Sequence, residues 1–208
     1  MSRLLVFGAG GHGCVVAETA VLSGSWTEVV HLDDSLDRTQ LEIGTEVLGA
    51  FSDIESIVRC DDRFVVGVGE NSVRLRLHES FSNLYSSTSV ISFDAVVSAN
   101  ASISTGSVVM PRVVVNAGAV IGSACILNTG SIVEHGVTLS AGVHVCPGAI
   151  LGGDARIGAR TLIGLGATVL PGVSVSSDVI LGAGAVAVSN IENPGTYVGV
   201  PAKVVVTH

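Results

Sequence analysis

His135 lies in the run Ser131-Ile132-Val133-Glu134-His135-Gly136, and His144 follows nine residues later in Val143-His144-Val145-Cys146. An imidazole with an ordinary pKa near ~6.5 can take a proton from a nucleophile at neutral pH, which is the work of a general base. A second chemically promising group opens the chain, where Gly8-Ala9-Gly10-Gly11-His12-Gly13 is followed, twenty residues past its last glycine, by Asp33-Asp34. Glycines at such a turn let a phosphate approach main-chain N–H groups, and an acid at that distance can accept from a ribose or sugar hydroxyl. Cys14, Cys60, Cys125 and Cys146 show no C-x-x-C spacing, and no metal is expected.

The element that must position both histidines is a repeat. From Ala95 to Asn190 the chain divides into sixteen consecutive blocks of six, and the third residue of every block is aliphatic, from Val97 and Ile103 through Val133 and Ile163 to Ala187. A period of six matches neither an α-helix nor one long strand, but it suits short strands joined by turns, each with one large side chain inward. The sixth residue is often Gly, Asn or Asp, types that accept positive φ at a turn. Three blocks per coil make a little over five coils of parallel β-helix around one aliphatic stack. Cys125 falls inward in it. His135, fifth in its block, falls at a turn and reaches outward, with the Glu134 side chain leaning the other way. His144, second in its block, alternates with inward neighbours and also faces out. The spacing of the two is half of an eighteen-residue coil, so within one chain they point from different sides of the prism. They can share a site only across a boundary between subunits.

Ahead of the repeat the chain reads as α/β. A strand at Arg3–Phe7 enters the Gly-rich turn, a helix spans Cys14–Ser23, and a strand at Glu28–Leu32 ends in Asp33 and Asp34. After a polar loop come Thr45–Gly49, a helix over Ser52–Val58, a buried strand from Phe64 that ends in a second turn at Gly67-Val68-Gly69, and a helix over Val73–Ser82 with Arg74 and Arg76 exposed. Ligands of an open parallel sheet sit beyond the carboxyl ends of its strands, which gathers Gly10, Gly11, His12, Asp33, Asp34 and Gly69 in one crevice. A complete dinucleotide fold needs two such half-sheets, whereas only about 85 residues precede the repeat, so a nucleotide-sugar suits the space better than NAD. A nicotinamide-dependent oxidoreductase, and a turn that needs its glycines merely for packing, are the alternatives. His31, His78 and His208 are read as structural or solvated side chains. The division is residues 1–86, a Rossmann-like domain for a sugar or nucleotide-sugar, and residues 87–208, the β-helix with its tail.

Asp and Glu number 18 against 10 Lys and Arg, and residues 1–94 carry six Arg against fourteen acids. A front half this acidic argues against nucleic acid as a partner. Glycines and polar residues interrupt every apolar run before it reaches membrane-spanning length, and the N-terminus lacks a signal-peptide pattern. With cysteine usage of this kind the expected compartment is the cytoplasm, and Cys146 is not expected to act as a nucleophile.

The GAGGHG opening, the strand ending in LDD, the VGVGEN strand, the hexad array with NTGSIVEH and the terminal GVPAK together resemble the bacterial sugar acyltransferases. That family includes sialic acid O-acetyltransferases and UDP-4-amino-sugar N-acetyltransferases. The resemblance implies a left-handed β-helix, a homotrimer with acetyl-CoA in clefts between neighbouring prisms, and an acceptor held by the front domain. It implies that His135 is the proton acceptor, that Asn128 lies near the acceptor and that His144 meets the thioester. It further assigns main-chain contacts of Gly153 to the thioester carbonyl, and those of Leu165 and Ala183 to the pantetheine and adenosine. One departure stands out. The residue after the histidine is commonly an acid in the family and is Gly136 here. The tail with Pro194, Pro201 and Lys203 should cover the open end of the helix. The function expected is acetyl-CoA-dependent N-acetylation of the amine of a UDP-linked 4-amino sugar. Sialic acid O-acetylation and a non-catalytic sugar-nucleotide-binding trimer are the alternatives.

Overall fold

The computed structural model describes residues 2–35 and 44–205; His208 and the polar loop at 36–43 lie outside them. The front of the chain forms β1 (Arg3–Phe7), α1 (Gly11–Leu22), β2 (Glu28–Leu32), β3 (Val47–Gly49), α2 (Ile54–Ile57), β4 (Arg63–Val66) and α3 (Asn71–Ser82). The strands make a parallel sheet in the order β3-β2-β1-β4. Because side chains alternate across a strand, β1 sends Leu5 and Phe7 to one layer and Leu4 and Val6 to the other. Leu5 and Phe7 pack with Leu32, Phe64 and Val66, whereas Leu4 and Val6 pack with Val16 and Ala17 of α1 in a core continuous with that of the repeat.

Helix boundaries differ from expectation for local reasons. α1 begins at Gly11 rather than Cys14, because Gly13 lacks the Cβ that would collide with the Gly8 carbonyl oxygen and so lets the first turn close against the loop. α3 begins at Asn71, where the Glu70 carboxylate accepts from the Ser72 and Val73 N–H groups and caps the helix. α2 is a single turn preceded by a 3-10 turn at Phe51–Asp53. Arg76 is exposed as expected. Arg74 is not. It is fully buried, and its guanidinium donates to four main-chain carbonyls and the Asn71 amide.

The repeat is a left-handed β-helix in which each two-residue strand pairs in parallel with the strand eighteen residues on, as in Ile126 to His144 to Leu162. Three faces result. The first carries the strands at 108–109, 126–127 and 144–145, the second those at 114–115, 132–133 and 150–151, and the third those at 120–121, 138–139 and 156–157. The inward residues Ile121, Leu127, Val133, Leu139, Val145 and Leu151 are buried to within 1 %. The sixth position of the blocks from Gly106 to Gly184 has positive φ throughout, even where Arg112, Ala124, Asp154, Arg160 or Asp178 occupies it. An L-residue in that conformation costs about 1 kcal/mol, and the closed coil imposes it.

The front domain covers the first face, where the outward residues Val108 and Ile126 are as buried as the core. On the second face the outward ladder is apolar yet open, with Val96 65 % and Ile150 39 % exposed. The third face presents Ser102, Val120, Thr138, Arg156 and Ser174. At the far end Gly195–Val198 continues the first face and Lys203–Val204 turns back against it, so the tail covers the last coil. Among the described residues no helix is long and apolar enough to cross a membrane.

The fourth position carries a constraint that periodicity does not reveal. A Cβ on Gly164 would stand 2.5 Å from the Leu181 carbonyl oxygen and 2.7 Å from the Gly182 carbonyl carbon in the next coil. Backbone cannot yield that space cheaply, so Gly164→Ala is expected to lower stability by about 2 kcal/mol or more, measured by urea denaturation. An unchanged midpoint would mean that coil spacing is softer than this.

Candidate active site

The front crevice is a cavity of about 300 Å³ lined by Ala9, Gly10, Gly11, Asp33 and Ser35. Of the expected members, His12, Asp34 and Gly69 are not in this lining, and the glycines of the two turns divide into two kinds. A Cβ on Gly67 would lie 2.7 Å from Gly13 Cα and 2.9 Å from Val6 Cγ1, one on Gly13 would collide with the Gly8 carbonyl, and Gly8 has φ +111° with the Gly67 carbonyl oxygen 3.1 Å from its Cβ position, so these three serve the turn and its packing. A Cβ on Gly10, Gly11 or Gly69 would meet nothing within 4 Å. Packing therefore explains the first three and leaves the others free for the close approach of a ligand to the main chain. Asp33 accepts from the Ala9 N–H at 2.6 Å and the Ser35 N–H at 2.8 Å, and Asp34 accepts from the Phe51 N–H at 3.0 Å. Both acids thus shape the loop and retain lone pairs for a hydroxyl donor. His31 is buried beneath, with Nδ1 2.9 Å from the Gly8 carbonyl oxygen and Nε2 3.1 Å from Thr45 Oγ1, and holds the turn from below.

His12, in the first turn of α1, faces the β-helix. Its ring centroid is 6.3 Å from that of His144 on the first face. The Asn128 amide is oriented by its Oδ1, which accepts from the Thr129 N–H at 2.8 Å, so its Nδ2 donates to His144 Nε2 at 3.2 Å. This assigns the His144 proton to Nδ1. His144 Nδ1 and His12 Nε2 are both buried with no partner. Burial, then the nearby Arg74 charge and His12, lowers the His144 pKa to about 3; burial and Arg74 lower that of His12 to about 4. Both rings are neutral at physiological pH. Nothing in the sequence pairs these two histidines, because the contact depends on how α1 docks on the first face.

His135 stands elsewhere, exposed at the turn from the second face to the third. Its ring lies over Gly153 of the next coil, where a Cβ would come within 2.6 Å of Nε2, so the glycine there makes room for the imidazole. A Cβ on Gly136 would collide with Asp154 Oδ1. The carboxylate absent from position 136 is thus matched by one from the following coil, standing over the same spot. The Glu134 side chain folds back on the main chain, and its Oε2 lies 3.4 Å from the His135 main-chain nitrogen. Asn128 sits with His144 and not with His135. Leu165 and Ala183 are exposed one coil apart on the turn from the first face to the second. Burial pushes the Cys146 thiol up to about 11, which leaves it protonated and inert. No cluster suited to a metal ion occurs among the described residues.

Residues 3–81 match the family model described as PglD N-terminal domain. The whole chain is similar to the acetyltransferase domain of PglB from Neisseria gonorrhoeae, at 40 % identity and a TM-score of 0.95, over 99 % of this chain and 100 % of that one. The same domain in complex with acetyl coenzyme A matches at 42 % identity and a TM-score of 0.92, over 98 % of each chain. A perosamine N-acetyltransferase variant from Caulobacter crescentus, in complex with CoA and GDP-perosamine, matches at 31 % identity and a TM-score of 0.90, over 100 % of this chain and 98 % of that one. This chain belongs to the bacterial sugar acyltransferases.

Two outcomes follow for this acyltransferase. Gly10→Ala should fold with an unchanged thermal midpoint and bind its sugar acceptor at least about tenfold more weakly, whereas Gly13→Ala should lose stability outright; calorimetry and isothermal titration measure both. The acid limb of stability should also be steep. The folded pKa values of His12 and His144 lie below the unfolded 6.5, so their contribution is complete above pH 6.5 and is lost as pH falls toward 4 and 3. Thermal midpoints of the parent should therefore fall more between pH 6.5 and 4 than those of a His12→Gln, His144→Gln double variant.

Proposed function

We propose that this acyltransferase moves the acetyl group of acetyl-CoA to the amine of a UDP-linked 4-amino sugar, at sites shared between neighbouring copies of a homotrimer. The observation that carries the reading is the neutral His144, whose Nδ1–H is buried, unpartnered and held in one tautomer by Asn128. Such a donor suits the oxygen of a thioester carbonyl as negative charge develops on it. The PglB domain bound to acetyl coenzyme A supports the donor, and the perosamine enzyme bound to CoA and GDP-perosamine supports a nucleotide-linked amino sugar as acceptor.

In this mechanism the acceptor amine attacks the thioester carbonyl carbon while His135 takes its proton. His144 Nδ1–H donates to the oxyanion. The C–S bond then breaks and the departing CoA thiolate takes the proton from His135, so no covalent enzyme intermediate is needed. The inert Cys146 thiol agrees with direct transfer. Gly10, Gly11, His12, Asp33, Asp34 and Gly69 hold the acceptor, and Gly153, Leu165 and Ala183 line the path of the donor. His135 and His144 occupy different sides of one prism, so the complete site draws on two copies. The open aliphatic ladder of Val96, Ile132 and Ile150 supports self-association through the second face. Four free cysteines suit a reducing cytoplasm.

CoA release measured against UDP-, GDP- and CMP-linked sugars and free sugars tests the reading, with turnover expected on a UDP-linked 4-amino sugar. His135→Ala should lower that turnover by about a hundredfold to ten-thousandfold with acetyl-CoA binding retained. Full turnover in His135→Ala, or CoA release that no amino sugar stimulates, would overturn it.

A further inference from the structure

α3 lies along the corner where the third face turns into the first, and successive turns of the helix address successive coils. A helix advances about 5.4 Å per turn and stacked strands about 4.8 Å, so the two periods keep step over a few repeats. Asn71 Nδ2 donates to the Arg160 carbonyl at 2.8 Å. Arg74 Nη2 donates to the Gly142 carbonyl at 2.8 Å and Nε to the Ala124 carbonyl at 2.7 Å. The His78 ring packs on Gly106, where a Cβ would collide with it. Gly106, Ala124, Gly142 and Arg160 are the positive-φ residues of consecutive coils at this corner.

Arg74 also reaches the opposite way. Its Nη1 donates to the Val68 and Gly69 carbonyls at 3.1 and 2.9 Å, and its Nη2 donates to Asn71 Oδ1 at 2.8 Å. The side chain is 0 % exposed and forms no ion pair among the described residues. Burying a cation without a counter-charge is unfavourable, and apolar side chains could dock two domains more cheaply. A planar fork of donors does something they cannot, since it fixes the angle and distance between two main-chain segments. Here one segment is the turn at Gly69, to which the proposed function gives a part in holding the acceptor, and the other enters the strand that presents His144.

We propose that Arg74 is a positioning residue for acyl transfer, its guanidinium locking the Val68–Gly69 turn to the coil that carries His144 so that acceptor and donor keep one relative geometry. The proposal rests on the acetyl-transfer reading of that site. The groups around the guanidinium are Glu70 at the cap of α3, the Cys125 thiol, and the imidazoles of His12 and His144. The same charge helps keep those two rings unprotonated.

Arg74→Lys and Arg74→Met test it by steady-state kinetics and by readouts that need no turnover. Arg74→Lys is expected to fold, to keep its KM for acetyl-CoA within about threefold, and to lose about a hundredfold in kcat/KM for the acceptor, as displacement of a reacting group by about 1 Å would cause. Arg74→Met should show faster amide exchange at Gly69–Asn71 and imidazole titrations of His12 and His144, followed by NMR, shifted upward. Folded variants with parental kinetics, exchange and titrations would overturn the proposal. So would a loss of activity that matches the loss of folded protein and leaves kcat/KM per folded molecule unchanged. If the parent acetylates no sugar, the acetyl-transfer reading fails by itself, and the exchange and NMR results still decide whether Arg74 locks the two segments.

Discussion

Closure of every coil in eighteen residues is the constraint on which the rest of the structure depends. Each turn of the prism must bring its carbonyls and N–H groups into register with the coil above, and a single inserted residue would rotate all later side chains onto another face. The register places His135 directly beneath Gly153 and Gly136 beneath Asp154, so positions far apart in sequence become neighbours by counting alone. It is also strong enough to hold Arg112, Ala124 and Asp154 in a left-handed conformation that they would not choose.

Upon this regular prism an irregular domain is docked, and the junction between them buries His12 and His144. Burial beside Arg74 keeps His12 and His144 neutral, and Asn128 selects the His144 tautomer. A neutral ring with a directed N–H serves a different purpose from an exposed one. In the proposed mechanism His144 donates and His135, exposed at its turn, accepts. That proposed division of labour between two chemically identical side chains rests on their different surroundings.

The β-helix could be read from the hexads because inward aliphatic residues and turn residues recur at a fixed interval, and this information is local. The strand–turn–helix–strand opening of the front domain followed from strand and turn signals of the same kind. Arg74 could not be read in this way. An arginine on an amphipathic helix is ordinarily solvated, and the carbonyls that enclose it lie 50 and 68 residues away. The pairing of His12 with His144 was hidden for the same reason, as was the crowding that demands glycine at position 164. Local pattern specifies each element, whereas the docking of one element on another creates environments that no spacing announces.

The central claim is that a working site combines His135 of one copy with His144 of another. Its most direct measurement is the activity of a mixed assembly in which inactive His135→Ala and His144→Ala proteins are dissociated, combined in equal amounts and reassembled. About a quarter of parental activity should return, because random mixing joins an intact His135 to an intact His144 at that share of the interfaces. A mixed assembly as inactive as its two components would show that both histidines must come from the same chain, and would contradict the account.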